Sequence, residues 1–257
     1  MRIAVAVIVA TLSIYNLAAS SQPKKAKGTA HLVPFDFSVD RLPLGYSGQD
    51  FMTVFKKNTV TQKGEFETTD AFRARLATLG SNVYAFRFVP EEVKYDADQE
   101  SFKVVVHIDA FYSSNSLYSG SLEDTALPVH SSDAITGHYV GVSGLGVRTR
   151  VEKDHETTDS LVVHSSLTSM LSSDKVLVKM DPKMAAQRKS SLAFLFVCRP
   201  AQRETGPTMT TTIHISPEVG TPLDRTLTLH YIFVDQVEVW VFDKTTGEVL
   251  RKAKIFG

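Results

Sequence analysis

Between residues 102 and 112 the side chains alternate. Phe102, Val104, Val106, Ile108, Ala110 and Tyr112 hold every second position, with Lys103, Val105, His107, Asp109 and Phe111 between them. An extended chain puts alternate residues on opposite faces, so this period of two predicts a strand with one face against a core. Met209, Thr211, Ile213 and Ile215 alternate in the same way with Thr208, Thr210, Thr212 and His214. The run from Thr226 to Phe242 is rich in β-branched and aromatic residues. It exceeds the usual strand length of about 3–10 residues, which predicts a bend or turn near Asp235-Gln236.

Turn and cap residues divide the rest. Asp243-Lys-Thr-Thr-Gly247 separates Val237–Phe242 from Glu248–Ile255, a closing hairpin in which glycine supplies a positive φ. Asp96-Ala-Asp-Gln-Glu100 is expected to turn the chain between Val93–Tyr95 and the strand from Phe102. Thr68-Thr69-Asp70 can cap a helix to about Leu79, with Phe72, Leu76 and Leu79 on one face and Gly80 at its end. Asp181-Pro182 marks a second helix start, ending near Lys189 before the apolar strand Leu192–Cys198. Ser113–Asp133 is serine-rich and aperiodic and predicts a long loop; Glu152–Asp159 is a second irregular stretch. The expected fold is therefore β-rich α+β, with antiparallel sheets in a sandwich-like or two-sheet arrangement and two short helices.

The N-terminus predicts an address. Arg2 precedes an almost unbroken apolar run, Ile3–Ile14, and small residues follow at Ala18, Ala19, Ser20 and Ser21. This is a signal-peptide pattern, with cleavage after Ala19 or Ser20. The run is shorter than the roughly 20 residues that span a bilayer, and no later segment reaches that length. The expected organisation is a signal peptide over 1–20, a flexible leader over 21–30 and a β-rich mature region over 31–257. That region either divides into halves near 152–159 or forms one elaborate domain.

Composition narrows the class. Cys198 is the single cysteine, so neither an intrachain disulfide nor an N-terminal lipid anchor is expected. Stability must come from a core, which about 235 residues can build. Asn16, Asn58, Asn82 and Asn115 lie in no N-x-Ser/Thr acceptor site, which favours a bacterial periplasmic or secreted protein. Lys+Arg and Asp+Glu both number 28, and the only basic cluster is Lys24, Lys25 and Lys27. No nucleic-acid partner is expected from that balance.

Chemistry-bearing motifs are near misses. Gly141-Val-Ser143-Gly-Leu-Gly146 approaches a nucleophile elbow, but G-x-S-x-G needs glycine where Leu145 stands, and Val147–Val151 reads as a strand rather than a helix. Ser172-Ser-Asp-Lys175 has S-x-x-K spacing but leads into the strand-like Val176–Met180; Lys244-Thr-Thr-Gly247 carries a threonine too many for its partner motif. His107-x-Asp109 places two ligand types on one strand face, yet two without a third make no zinc site. Asp96-x-Asp98-x-Glu100 has calcium-like spacing, but Ser101 and His107 stand where glycine and glutamate are required. Gly141, Gly144 and Gly146 lack the order and helix of a dinucleotide fingerprint, and Cys198 sits in an apolar strand as an inert small hydrophobe. No cofactor and no metal are expected, and Ser143, His107 and Asp109 are the candidates should there be a catalytic site.

Lys63-Gly-Glu-Phe-Glu67-Thr-Thr with Phe72 and Arg75, Tyr95-Asp-Ala-Asp98, Tyr139-Val-Gly141 with Gly144–Val147, and Trp240-Val-Phe-Asp243 with Thr246-Gly-Glu-Val249 span most of the chain. Together they resemble a loose group of exported proteobacterial proteins of unknown function. The resemblance implies no activity and assigns no residue a role. The leading expectation is a non-enzymatic periplasmic binding or interaction module, its threonine-lined strand faces suited to a protein, peptide or glycan partner. The alternatives are a hydrolase whose site is assembled from distant residues and an oligomeric, envelope-associated structural protein.

Overall fold

A computed structural model describes residues 35–59, 63–111, 124–164, 175–203, 205–218 and 220–256. The expected signal peptide and leader lie outside them. The described helices are α1 (Phe51–Asn58), α2 (Thr69–Gly80) and α3 (Pro182–Arg188). The strands are β1 (Tyr84–Phe88), β2 (Glu92–Asp96), β3 (Ser101–Val105), β4 (Asp109–Ala110), β5 (Asp124–Val142) and β6 (Arg148–His164). They continue with β7 (Lys175–Lys179), β8 (Leu192–Pro200), β9 (Thr208–Ile215), β10 (Leu223–Asp243) and β11 (Val249–Phe256). The fold is β-rich α+β, built on two sheets.

The larger sheet runs β1-β8-β10-β6-β5-β4, with β9 and β11 also paired to β10; the smaller runs β2-β3-β7. Phe102 and Val104 of β3 and Val176 and Val178 of β7 meet Phe86, Phe88, Phe194, Phe196, Val239 and Val241 of the larger sheet in one core. The opposite face of β1, β8 and β10 carries Ala85, Leu195, Trp240 and Phe242, covered by Phe35 and Leu42. Because β8 is buried on both faces, Leu192–Cys198 reads as a continuous apolar run instead of an alternation.

The larger sheet is organised by β10. Over Leu223–Val234 it pairs in parallel with β6, and over Arg225–Ile232 antiparallel with β9. Beyond a register shift between Val234 and Gln236 it changes partners, lying between β8 and β11. The expected irregularity at Asp235-Gln236 is thus an exchange of neighbours within one long strand. Among the described strands all other pairings are antiparallel; the β6–β10 pair makes the larger sheet mixed.

Several local expectations match. Thr68 caps α2 and Asp181 caps α3 through side-chain oxygens, Asp96–Glu100 turns β2 into β3, and Gly247, at φ 75°, closes the β10–β11 hairpin. Other expectations need correction. A third helix, α1, exists: Asp50 accepts from Thr53 N at 2.7 Å, and Phe51, Val54 and Phe55 bury one face. Phe102–Tyr112 is not one strand. Phe102, Val104 and Val106 do share a buried face, but the chain leaves the smaller sheet after Val105 and joins β5 at Asp109–Ala110; Tyr112 is outside the described residues. Asp124–Asp133, expected in a loop, lies in β5, and Glu152–Asp159, expected to be an irregular divide, lies within β6. In the first, Thr125, Ala126 and Leu127 are buried in succession and His130–Asp133 are exposed; in the second, the buried residues are Asp154 and Asp159, so no apolar alternation marks either stretch. Among the described residues no helix is long and apolar enough to cross a membrane.

Candidate functional site

The exposed half of the β5–β6 hairpin joins β10 and β9 in a four-stranded extension ordered β9-β10-β6-β5. Register decides which residues share its faces. On one face Leu227, Leu229, Tyr231 and Phe233 of β10 join Val162, Ala126 and Phe111 in an apolar cluster. The other face is polar and laid out in rungs.

Ala134, His155, Thr226 and His214 align across β5, β6, β10 and β9. The next rung is Ser132, Thr157, Thr228 and Thr212, a hydroxyl on every strand. The third is His130, Asp159, His230 and Thr210. Neighbouring rungs are two residues apart, about 7 Å along strands that lie about 4.8 Å apart.

Hydrogen bonds hold these groups upright. His155 Nε2 lies 3.2 Å from Thr228 Oγ1, and His214 Nδ1 lies 3.1 Å from Thr226 Oγ1. Asp159, only 7 % exposed, contacts His230 Nδ1 at 2.9 Å, while His130 Nδ1 stands 4.0 Å away. At the lower end α1 packs on this face: the Phe55 ring is centred 5.3 Å from that of His230, and Thr59 Oγ1 meets Thr208 Oγ1 at 3.3 Å.

Toward the hairpin tip, Lys153 Nζ sits 5.4 Å from the centre of the Tyr139 ring. Partial desolvation and the adjacent Asp224 carboxylate raise the Tyr139 phenol above its usual range. Beyond Tyr139 is a cleft of about 320 Å³, walled by Thr149 and Val151 and by Pro217 and Pro222 of the β9–β10 connection. From Val151 to Asp159 the polar face is about 26 Å long at 3.3 Å per residue. It can offer donors and acceptors to an extended ligand, because hydroxyls and neutral imidazoles serve as both.

Of the catalytic candidates, Ser143 lines this cleft, whereas His107 and Asp109 lie elsewhere. Ser143 lies at the hairpin tip, its Oγ accepting from Leu145 N at 3.3 Å and Val147 N at 3.1 Å. Gly146 N donates to Ser143 O, and Gly146 has φ 78°. This is a type I turn followed by a left-handed residue, a three-residue hairpin connection. The hydroxyl therefore serves the turn.

His107 and Asp109 do meet, Nε2 to Oδ1 at 3.1 Å, with Glu91 Oε2 3.9 Å from Nδ1. All three are about half exposed or more. Asp109 pairs with Ala126, sixteen residues along β5 from Val142, so roughly 50 Å of strand separates this cluster from Ser143. The three candidates do not form one site. Among the described residues no group of three or more His, Cys, Asp or Glu side chains is arranged to hold a metal ion. Cys198 is buried against Tyr84 and Val237, and burial pushes its thiol far up. Ser172–Asp174 are outside the described residues, and Lys175 starts β7.

The residues missed in sequence are His130, His155, Asp159 and His230. Each lies two positions from a hydroxyl residue, as in His155-x-Thr157 and Thr228-x-His230. That signal was visible; the register that aligns them was not. Comparison with family models, curated proteins and solved structures finds no match to the chain.

Proposed function

We propose that the chain is a non-enzymatic binding module of the bacterial periplasm or the secreted medium, which lays an extended, hydroxyl-rich ligand, a glycan, along the polar face of the four-stranded extension. The observation that carries this is the set of three rungs in which hydroxyls and imidazoles recur, on every strand in the middle rung and on three of the four in the rungs beside it. A polyhydroxylated chain needs many donors and acceptors at regular spacing, and each net hydrogen bond contributes only about 0.5–1.5 kcal/mol. Tyr139, at the upper end, offers a ring face to a sugar's apolar side. Export is the expectation from Met1–Ser20 and supports a ligand met outside the cytoplasm.

The test is calorimetric titration of the purified full chain with soluble glycans selected on an array, repeated with Thr157→Val/Thr228→Val. The double variant is expected to bind about tenfold or more weakly, given the net contribution of the lost hydrogen bonds. Equal affinity in the variant, or turnover of the bound glycan, overturns the proposal; turnover would point instead to hydrolysis.

A further inference from the structure

The outer face of the smaller sheet holds a cleft of about 500 Å³, separate from the polar face above. Lys94, Lys103, Ser101 and Leu177 line it, with Glu92 and Asp96 also on its wall. The register sets Lys94 directly opposite Lys103, with Leu177 next across β7. Directly opposed side chains have Cβ atoms about 4.5–5.5 Å apart, and like charges there repel. Among the described residues neither ammonium has a hydrogen-bond or ion-pair partner.

The neighbouring rung is Asp96, Ser101 and Lys179. Two of its groups are committed to the β2–β3 turn. Asp96 Oδ1 accepts from Asp98 N and Gln99 N, both at 3.0 Å, and Lys179 Nζ donates to Gln99 O at 2.8 Å. Ser101 is not committed. It is 1 % exposed, its Oγ has no hydrogen-bond partner, and it lies on the cleft wall two residues from Lys103 on the same strand face. A buried hydroxyl without a partner forfeits its hydration for nothing in return, and like charges set directly opposite each other are likewise unfavourable. One group would satisfy all three: an oxygen-rich anion bridging both ammoniums and accepting from the hydroxyl.

We infer that this cleft is an anion site, taking the phosphate or carboxylate group of a small molecule between Lys94, Lys103 and Ser101. Its volume exceeds that of a bare ion and falls within the usual range of small-molecule sites. Glu92 and Asp96 stand to either side along β2, so the site favours a compact anion held at the centre over a polyanion spread across the face.

The experiment follows amide chemical shifts of the full chain during titration with inorganic phosphate, and separately with acetate, at ionic strength held constant with sodium chloride. Saturating shifts at Lys94, Ser101 and Lys103 are expected with one of the two, and the one that saturates names the class. Lys103→Gln and Ser101→Ala are each expected to raise the midpoint about tenfold. Lys103→Gln removes a repulsion, so its melting temperature without added anion should equal or exceed that of the parent. Shifts that stay linear with both anions, or a midpoint unchanged in either variant, overturn the assignment. Glycan affinity is expected to be unchanged in both variants, which keeps this test independent of the polar-face proposal.

Discussion

Asp243 shows how one buried carboxylate can hold a chain reversal together. Burial opposes its charge, but hydrogen bonds from the Thr245 hydroxyl and amide, from Ser191 and from the Thr246 amide outweigh that and leave its carboxyl below the usual range. Arg188 Nε lies 3.8 Å away and also ties α3 to Glu248, Nη1 to Oε2 at 2.6 Å. A carboxyl that titrates lower when folded binds fewer protons in the native than in the unfolded state at low pH. Its stabilisation is therefore complete above the unfolded value of about 3.9 and disappears as pH falls through the folded value. Urea unfolding between pH 6 and pH 2 is expected to show the parent losing stability below about pH 4 more steeply than Asp243→Asn. Parallel curves would mean that the carboxylate carries no net stabilisation.

At the scale of elements, the two glycine-containing hairpin turns make a controlled comparison. Gly146 and Gly247 have nearly the same positive φ, 78° and 75°. A Cβ on Gly146 would meet nothing within 4 Å, whereas one on Gly247 would collide with the carbonyl oxygen of Leu42. Gly146→Ala should then lose only the backbone preference, about 1–2 kcal/mol. Gly247→Ala must also push away the segment that covers Trp240 and should lose more than about 3 kcal/mol. Urea midpoints measure both, and equal losses would show that the Leu42 contact is not limiting. Capping was legible in Thr68 and Asp181, because a side-chain oxygen meets an amide three residues on and needs no tertiary contact. The burial of α2 was less so. Of Phe72, Leu76 and Leu79, expected on one covered face, only Leu76 is fully buried, because the neighbouring elements cover just part of the helix.

At the scale of the molecule, β10 belongs to two environments. Val237–Phe242 is almost wholly enclosed between β8, β11 and the two core layers, while Leu223–Thr228 lies in the more exposed extension. Protection from exchange follows the free energy of the smallest opening that frees an amide. Native-state hydrogen exchange should therefore find amides at Val239–Phe242 protected to the level of global unfolding, and those at Thr226 and Thr228 opening at clearly lower free energy. Uniform protection along β10 would show the extension and core to be one cooperative unit.

Strand periodicity, turn residues and helix caps are local properties, and the sequence by itself determined them: the β-rich α+β class, the buried face of β3, the closing hairpin and the irregularity in β10. What it could not supply was partnership. Nothing near Thr226 says that β6 lies parallel beside it, nor does Glu152–Asp159 carry an apolar alternation, since the residues it buries are the carboxylates Asp154 and Asp159. Ser143 and His107 share no neighbourhood because β5 extends nearly its whole length between them. Conversely, His155, Thr226 and His214 form one rung though far apart in sequence. Register across strands is chosen by the burial of β10's apolar residues elsewhere in the molecule, so the polar face and the Lys94–Lys103 pair emerge only when the whole core closes.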